Sequence, residues 1–260
     1  MGKMILPMSQ SFDGIKEKLK RSHENVLNLQ AEVNRFFEES RYPVLPQDDV
    51  KALLEAIKYH SQRDIPLRFS VLAGEIAHHL RSCLDHIVWQ FSTDAYRRDH
   101  FKRIEFPILE TRPPDKDSVK RHEGKIKGIT NPDVLRAIEA LQPYNSANPV
   151  ESALLVIHNM DITDKHRELV LCLSTGAVEV PHEVVGRVVA KLRPSYQQGI
   201  MDGAFEAELQ REIENHAKIV ATISFANFRG REFEAIIPAM MELNNEVVRI
   251  VAHFDRFLPR

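Results

Sequence analysis

Residues 66–93 read PLRFSVLAGEIAHHLRSCLDHIVWQFST, and this stretch decides the fold. Pro66 suits the opening of a helix, where its missing N–H costs nothing. Leu72, Ala73, Ile76, Ala77, Leu80, Cys83, Leu84, Ile87 and Val88 then recur at three- and four-residue spacing. That period predicts one broad apolar face on a helix over residues 67–93. Working outward, Ile15, Leu19, Val26, Leu29, Val33, Phe36 and Phe37 predict a long amphipathic helix over residues 11–39. Tyr42-Pro43 and Leu45-Pro46 end it. Residues 48–60, with Val50, Leu53, Leu54 and Ile57, suit either a helix or a short hairpin.

After the central helix the chain reads as a charged turn, then a short extended segment from Ile104 to Leu109, which Pro107 limits to an edge or a loop. Pro113-Pro114 mark a surface loop. Asn131-Pro132 is a start signal for a short helix from Val134 to Leu141. Pro143 and Pro149 bracket a turn before another helix from Val150 to Met160. The pattern then changes. Glu168 to Val180 (ELVLCLSTGAVEV) predicts a strand pair turning at Ser174-Thr175-Gly176, with Val184 to Leu192 and Lys218 to Phe225 as further strands. Helical periodicity returns over residues 231–258 through Ile236, Met240, Leu243, Val247, Ile250, Val251 and Phe254. The expected architecture is mainly α, with a small antiparallel β-sheet inserted before the C-terminal helix (α+β overall). One domain over residues 1–260 would comprise a bundle part (11–160), a sheet (168–226) and a closing helix (231–258).

Bulk chemistry narrows the classes. The 260 residues suffice for a sizeable core, and 43% hydrophobic with 28% charged residues is ordinary for a globular chain. With 35 Lys plus Arg against 37 Asp plus Glu, the net charge of -2 gives no global pull toward nucleic acid or anionic membrane, although a local basic patch is compatible with it. Cys83 and Cys172 both sit in apolar runs and read as buried thiols rather than a disulfide. No signal peptide and no run of membrane-spanning length is legible, and residue 6 is Leu where a myristoylation site wants Ser or Thr. The expected compartment is the cytoplasm. Neither repeats nor Walker A, GxGxxG, GxSxG or paired CxxC motifs occur.

The polar side of the central helix is unusual. At about 100° per residue, Glu75, His79, Ser82 and His86 share one stripe, flanked by His78, Asp85 and Trp89. Lysine, common on solvated helix faces, is absent there. The stripe reads in three ways: a polar face with hydrogen-bonded histidines, a metal site from Glu75, His79 and His86, or acid–base chemistry by a histidine. The metal reading lacks HExxH, and its set of Glu75, His79 and His86 holds no Glu-x-x-His pair.

Arg81-Ser82-Cys83-Leu84-Asp85-His86 resembles the Arg-x4-6-His motif of the HEPN superfamily, helical-bundle domains of which many are metal-independent ribonucleases acting as dimers. Residues 66–170 also resemble a recurring segment of uncharacterised bacterial proteins. In those, a similar helix precedes segments like Phe106-Pro107-Ile108, Leu141-Gln142-Pro143-Tyr144 and Asp164-Lys165-His166-Arg167. The first resemblance implies His86 as the acid–base group and Arg81 as the phosphate grip, with no metal or other cofactor and RNA as the partner. Active HEPN members often carry Asn, Asp or His where this chain has Ser82. Arg81 and His86 point about 140° apart on a regular helix, so a shared site needs a kink or a second subunit. A homodimer through the first and last helices is the expected assembly.

The run from His158 to Arg167 reads as a polar junction between helix and strand, where functional groups gather. Lys165, His166 and Arg167 suit a phosphate; Asp161 or Asp164 could orient a histidine of this run or of the central helix. Asn159 belongs to the same cluster, which is expected to pack near Glu75–His86 as one composite site. A helix C-terminus with basic residues favoured by the macrodipole is the plainer account. The basic run Lys120 to Lys127 reads as a solvated turn or an RNA-facing loop, and Trp89 and Tyr144 as core aromatics or base-stacking platforms. The leading function is an HEPN-like RNA endonuclease or an inactive relative, in bacterial or phage conflict. The alternatives are a non-enzymatic binding or scaffold protein and a metal-dependent hydrolase.

Overall fold

A computed structural model describes residues 11–39, 65–167, 169–175, 221–226, 228–232 and 234–259. The readings at 48–60, 177–180 and 184–192 lie outside them. Among the described residues seven α-helices run in chain order: α1 Asp13–Glu39, α2 Leu67–Phe91, α3 Asp94–His100, α4 Lys116–Ile126, α5 Pro132–Ala140, α6 Ala153–His166 and α7 Ile236–Asp255. Strands β1 (Leu171–Thr175) and β2 (Ala221–Phe225) form a two-stranded antiparallel sheet before α7. The protein is thus a helical bundle with a small sheet.

The central position of α2 follows from its broad apolar face. Ala73, Ile76, Ala77, Leu80, Cys83, Leu84, Ile87 and Val88 are all fully buried. Helices α1, α6 and α7 pack against it, and α1 also packs on α7. Ile15, Leu19, Val26, Leu29 and Val33 of α1 meet Leu243, Val247, Ile250 and Phe254 of α7 in one continuous core. The faces expected to pair between two subunits are therefore buried within a single chain; Leu27 and Val248 are the exposed large apolar residues on these two helices. Among the described residues no helix is long and apolar enough to cross a membrane.

Three local readings change. Residues 94–100 are helical, not a charged turn, because Thr93 caps the Tyr96 N–H. The basic run at 120–127 falls mostly on α4, started by Asp115, whose carboxylate accepts from Ser118 N at 2.7 Å. The supposed junction 159–167 is the last part of α6, with Arg167 as C-cap. Strand β1 pairs with β2 in the register Leu171↔Phe225 to Thr175↔Ala221. Residues 104–109 belong to no strand. Cys83 is buried, and burial pushes its thiol up to about 12; Cys172 is only half-buried, and both are free.

Candidate functional site

Helix α6 continues past Met160 because polar residues take over its inward line. Leu154, Ile157, Asp161 and Asp164 follow one another at three- and four-residue spacing toward α2. Asp161 is 3% exposed. Its Oδ1 lies 2.9 Å from His78 Nδ1, and its Oδ2 accepts from Lys165 Nζ at 2.6 Å. One turn on, the Asp164 carboxylate sits directly on Gly74, where any Cβ would collide with it. Burial raises the Asp164 pKa, and the neighbouring Asp161 adds to the rise. Ser70 Oγ closes the same flank by donating to Leu169 O at 2.7 Å.

Further along this flank, Arg81 and Asp85 act together on one peptide. Arg81 Nη2 donates to Phe106 O at 2.9 Å, and Phe106 N donates to Asp85 Oδ1 at 2.8 Å. The two side chains also pair at 3.0 Å. Gln142 Nε2 donates to Pro107 O at 2.8 Å. Three of the quoted motif segments, from the central helix, Phe106-Pro107-Ile108 and Leu141-Gln142, therefore form one anchor for a non-helical stretch. Arg81 is 4% exposed, so it does not present a free fork to solvent. Burial pushes the Asp85 carboxyl up to about 6, while Arg81 and the Phe106 amide pull it down. Burial also lowers His158 to about 4, with Arg81 and Lys125 adding to the effect. His158 Nδ1 and Arg81 Nη1 are both buried without a hydrogen-bond partner.

The other flank of α2 faces α1. Asn25 Nδ2 donates to Glu75 at 3.2 Å, Arg68 pairs with Glu32, and Cys83 Sγ approaches Ile15 O at 3.7 Å. His79 and His86 are half-buried; burial lowers both pKa values, and the Lys18 ammonium of α1 is the next cause for each. Ser82 is half-buried on the same side chain stripe.

The expected composite site thus forms in part. Asp161, Asp164 and Lys165 of α6 meet the central helix through His78 and Gly74. Asn159 is half-buried, while His166 and Arg167 are exposed at the end of α6. Arg81 and His86 do not share surroundings: Arg81 meets Phe106, Asp85 and Glu105, while His86 lies within reach of Lys18. Glu75 is bonded to Asn25, and among the described residues no three His, Cys, Asp or Glu side chains are placed to share a metal ion. Trp89 and Tyr144 each have Arg97 or Arg112 over the ring, at 5.6 and 4.9 Å. Sequence reasoning missed Lys18 and Glu105 as neighbours of the α2 polar residues. The i,i+4 pair of Arg81 and Asp85 was the one legible signal for the anchor. Compared with known proteins, the chain matches no family model, no curated protein and no solved structure.

Proposed function

We propose that this chain is a metal-independent RNA endonuclease, HEPN-like in reaction class, whose acid–base group is His78 rather than His86. The observation that carries this reading is the 2.9 Å contact between His78 Nδ1 and the buried Asp161 carboxylate. A buried carboxylate that receives Nδ1–H holds the ring in one tautomer and leaves Nε2 free to accept a proton. The His78 side chain is 55% exposed, so substrate can reach it. Lys165, bound to the same carboxylate, supplies a cation beside the ring.

RNA brings its own nucleophile, so the chemistry needs little else. His78 Nε2 takes the 2′-hydroxyl proton as O2′ attacks the adjacent phosphorus. The P–O5′ bond breaks, a 2′,3′-cyclic phosphate forms, and the leaving 5′-oxygen takes a proton from water or from Lys165. Lys165 offsets the charge that builds on the phosphorane. The test is cleavage of a mixed RNA pool in EDTA by wild type, His78→Ala, Asp161→Asn and His86→Ala. Loss in His78→Ala and Asp161→Asn with retention in His86→Ala supports the assignment; loss only in His86→Ala returns the chemistry to the Arg-x4-His pair.

A second reading has an observation of its own. Arg81 is buried and bonded to the Phe106 carbonyl, which favours a non-enzymatic relative that uses the motif as a structural anchor. Folded wild type that binds RNA without cutting it decides for this reading.

A further inference from the structure

The seam between α1 and α2 divides into two halves. Its contacts run antiparallel: Glu32 with Arg68, Asn25 with Glu75, and the Ile15 carbonyl with Cys83. That register sets Ser22 opposite His79, and Lys18 opposite Ser82. The half from Glu32 to Asn25 is closed by an ion pair and a hydrogen bond between the helices. In the other half, the polar groups have no such partners. Ser22 is fully buried and its Oγ has no hydrogen-bond partner; His79 Nδ1 is buried and unpartnered too. Lys18 is half-buried and pairs with no carboxylate among the described residues, although its neighbour Lys16 pairs with Asp255 at 3.5 Å. Arg21, paired with Glu24 at 3.4 Å, stands at the same end.

A half-buried ammonium without a counterion, next to unfilled hydroxyl and imidazole groups, is a site short of one anion. Buried polar groups are ordinarily satisfied, and here two that are not lie on the seam beside a cation with no carboxylate partner among the described residues. We propose that the open half of this seam, formed by Lys18, Ser22, His79, Ser82 and His86, binds a phosphate of the RNA backbone. The identity of that phosphate rests on the ribonuclease reading; the anion site itself rests on the seam. Lys18 gives the charge, Ser82 and a neutral His79 or His86 donate hydrogen bonds, and the strand runs on to the exposed His78, next to His79 on α2. The site positions substrate and takes no part in proton transfer.

The probe is a fluorescent single-stranded RNA with 2′-O-methyl groups throughout, which lacks the nucleophile and cannot be cut. Binding to the full chain is followed by anisotropy over a salt series. Lys18→Glu should weaken binding about tenfold or more and reduce the salt slope by roughly one phosphate contact. Lys18→Arg should stay within about threefold of wild type. Lys16→Glu, on the α7 side, is the charge-matched control and should bind as wild type. Thermal melts confirm that each variant is folded, and Lys18→Gln replaces Lys18→Glu if the latter is not. Equal weakening by the Lys16 and Lys18 variants, an unchanged Lys18→Glu, or no binding by wild type overturns the proposal. Tight binding of the methylated RNA, sensitive to Lys18, with no cleavage of unmodified RNA overturns the nuclease reading and leaves the phosphate site standing. Cleavage whose KM is indifferent to Lys18→Glu does the reverse.

Discussion

The two flanks of α2 carry similar residue types and are built in opposite ways. Against α6 and the 104–108 stretch, hydrogen bonds join His78 to Asp161, Arg81 and Asp85 to the Phe106 backbone, and Ser70 to Leu169, while Arg81 Nη1 and His158 Nδ1 are left without a partner. Against α1, the half around Lys18 leaves Ser22 and His79 unsatisfied. A closed flank fixes side chains in place, and so can orient a base or anchor a segment. An open flank has binding capacity left over. Histidines counted along a helix do not distinguish these conditions; their partners do.

The comparison breaks most visibly at His78. If the closed flank orients a base, His78→Ala lowers the cleavage rate about 10²- to 10⁴-fold without unfolding the chain. Asp161→Asn should lose much of the same rate, read as a drop in kcat with KM little changed. An Arg81→Ala change tests the flank as structure. It strips the Phe106 carbonyl of its donor and leaves Asp85 without its cation, so a loss of about 3 kcal/mol in denaturant unfolding is expected. Lys18→Gln on the open flank should cost under about 1 kcal/mol. Equal losses would mean the flanks differ less than their bonding implies.

Acid sharpens the contrast more gently. Asp85, with its carboxyl raised to about 6 from an ordinary 3.8, takes up a proton in the native state before the unfolded chain does. Falling pH between those values therefore favours the fold. His158, lowered to about 4 from 6.5, does the opposite, because the unfolded chain protonates first. The two contributions oppose each other over nearly the same window. Asp85→Asn should leave His158 unopposed and steepen the loss of stability from pH 6.5 to 4, by about 1–2 kcal/mol. His158→Gln should flatten it, which thermal melts across that range would reveal. The smallest effect is expected at Gly74→Ala. Alanine favours the helix by up to about 1 kcal/mol, but its Cβ must displace the Asp164 carboxylate, so the net stability change should be near zero or slightly negative. A clear gain in Tm would show that the Asp164 contact matters little.

Much of the bundle was legible because apolar period and burial are the same fact seen twice. The nine residues that define the apolar face of α2 include eight with no exposed surface. The helices missed, Asp94–His100 and Lys116–Ile126, are short and polar, and a capping Thr93 or Asp115 is a weaker sign than a run of buried leucines. The end of α6 was misread for a related reason. Asp161 is buried where the pattern looks for an apolar residue, and Asp164 lies against Gly74; the neighbouring helix, with Gly74 and His78, makes both possible.

The sequence by itself determined that helices dominate, that α2 is central, and that its polar stripe concentrates histidine and carboxylate, because local periodicity depends on side chains a few residues apart. Only the folded arrangement sets Asp161 against His78, bonds Arg81 to the Phe106 backbone rather than holding it beside His86, brings the Lys18 charge to bear on His79 and His86, and pairs β1 with β2. Each of these joins residues dozens of positions apart, and such pairings depend on how helices cross and how far apart their axes lie, which no local spacing encodes.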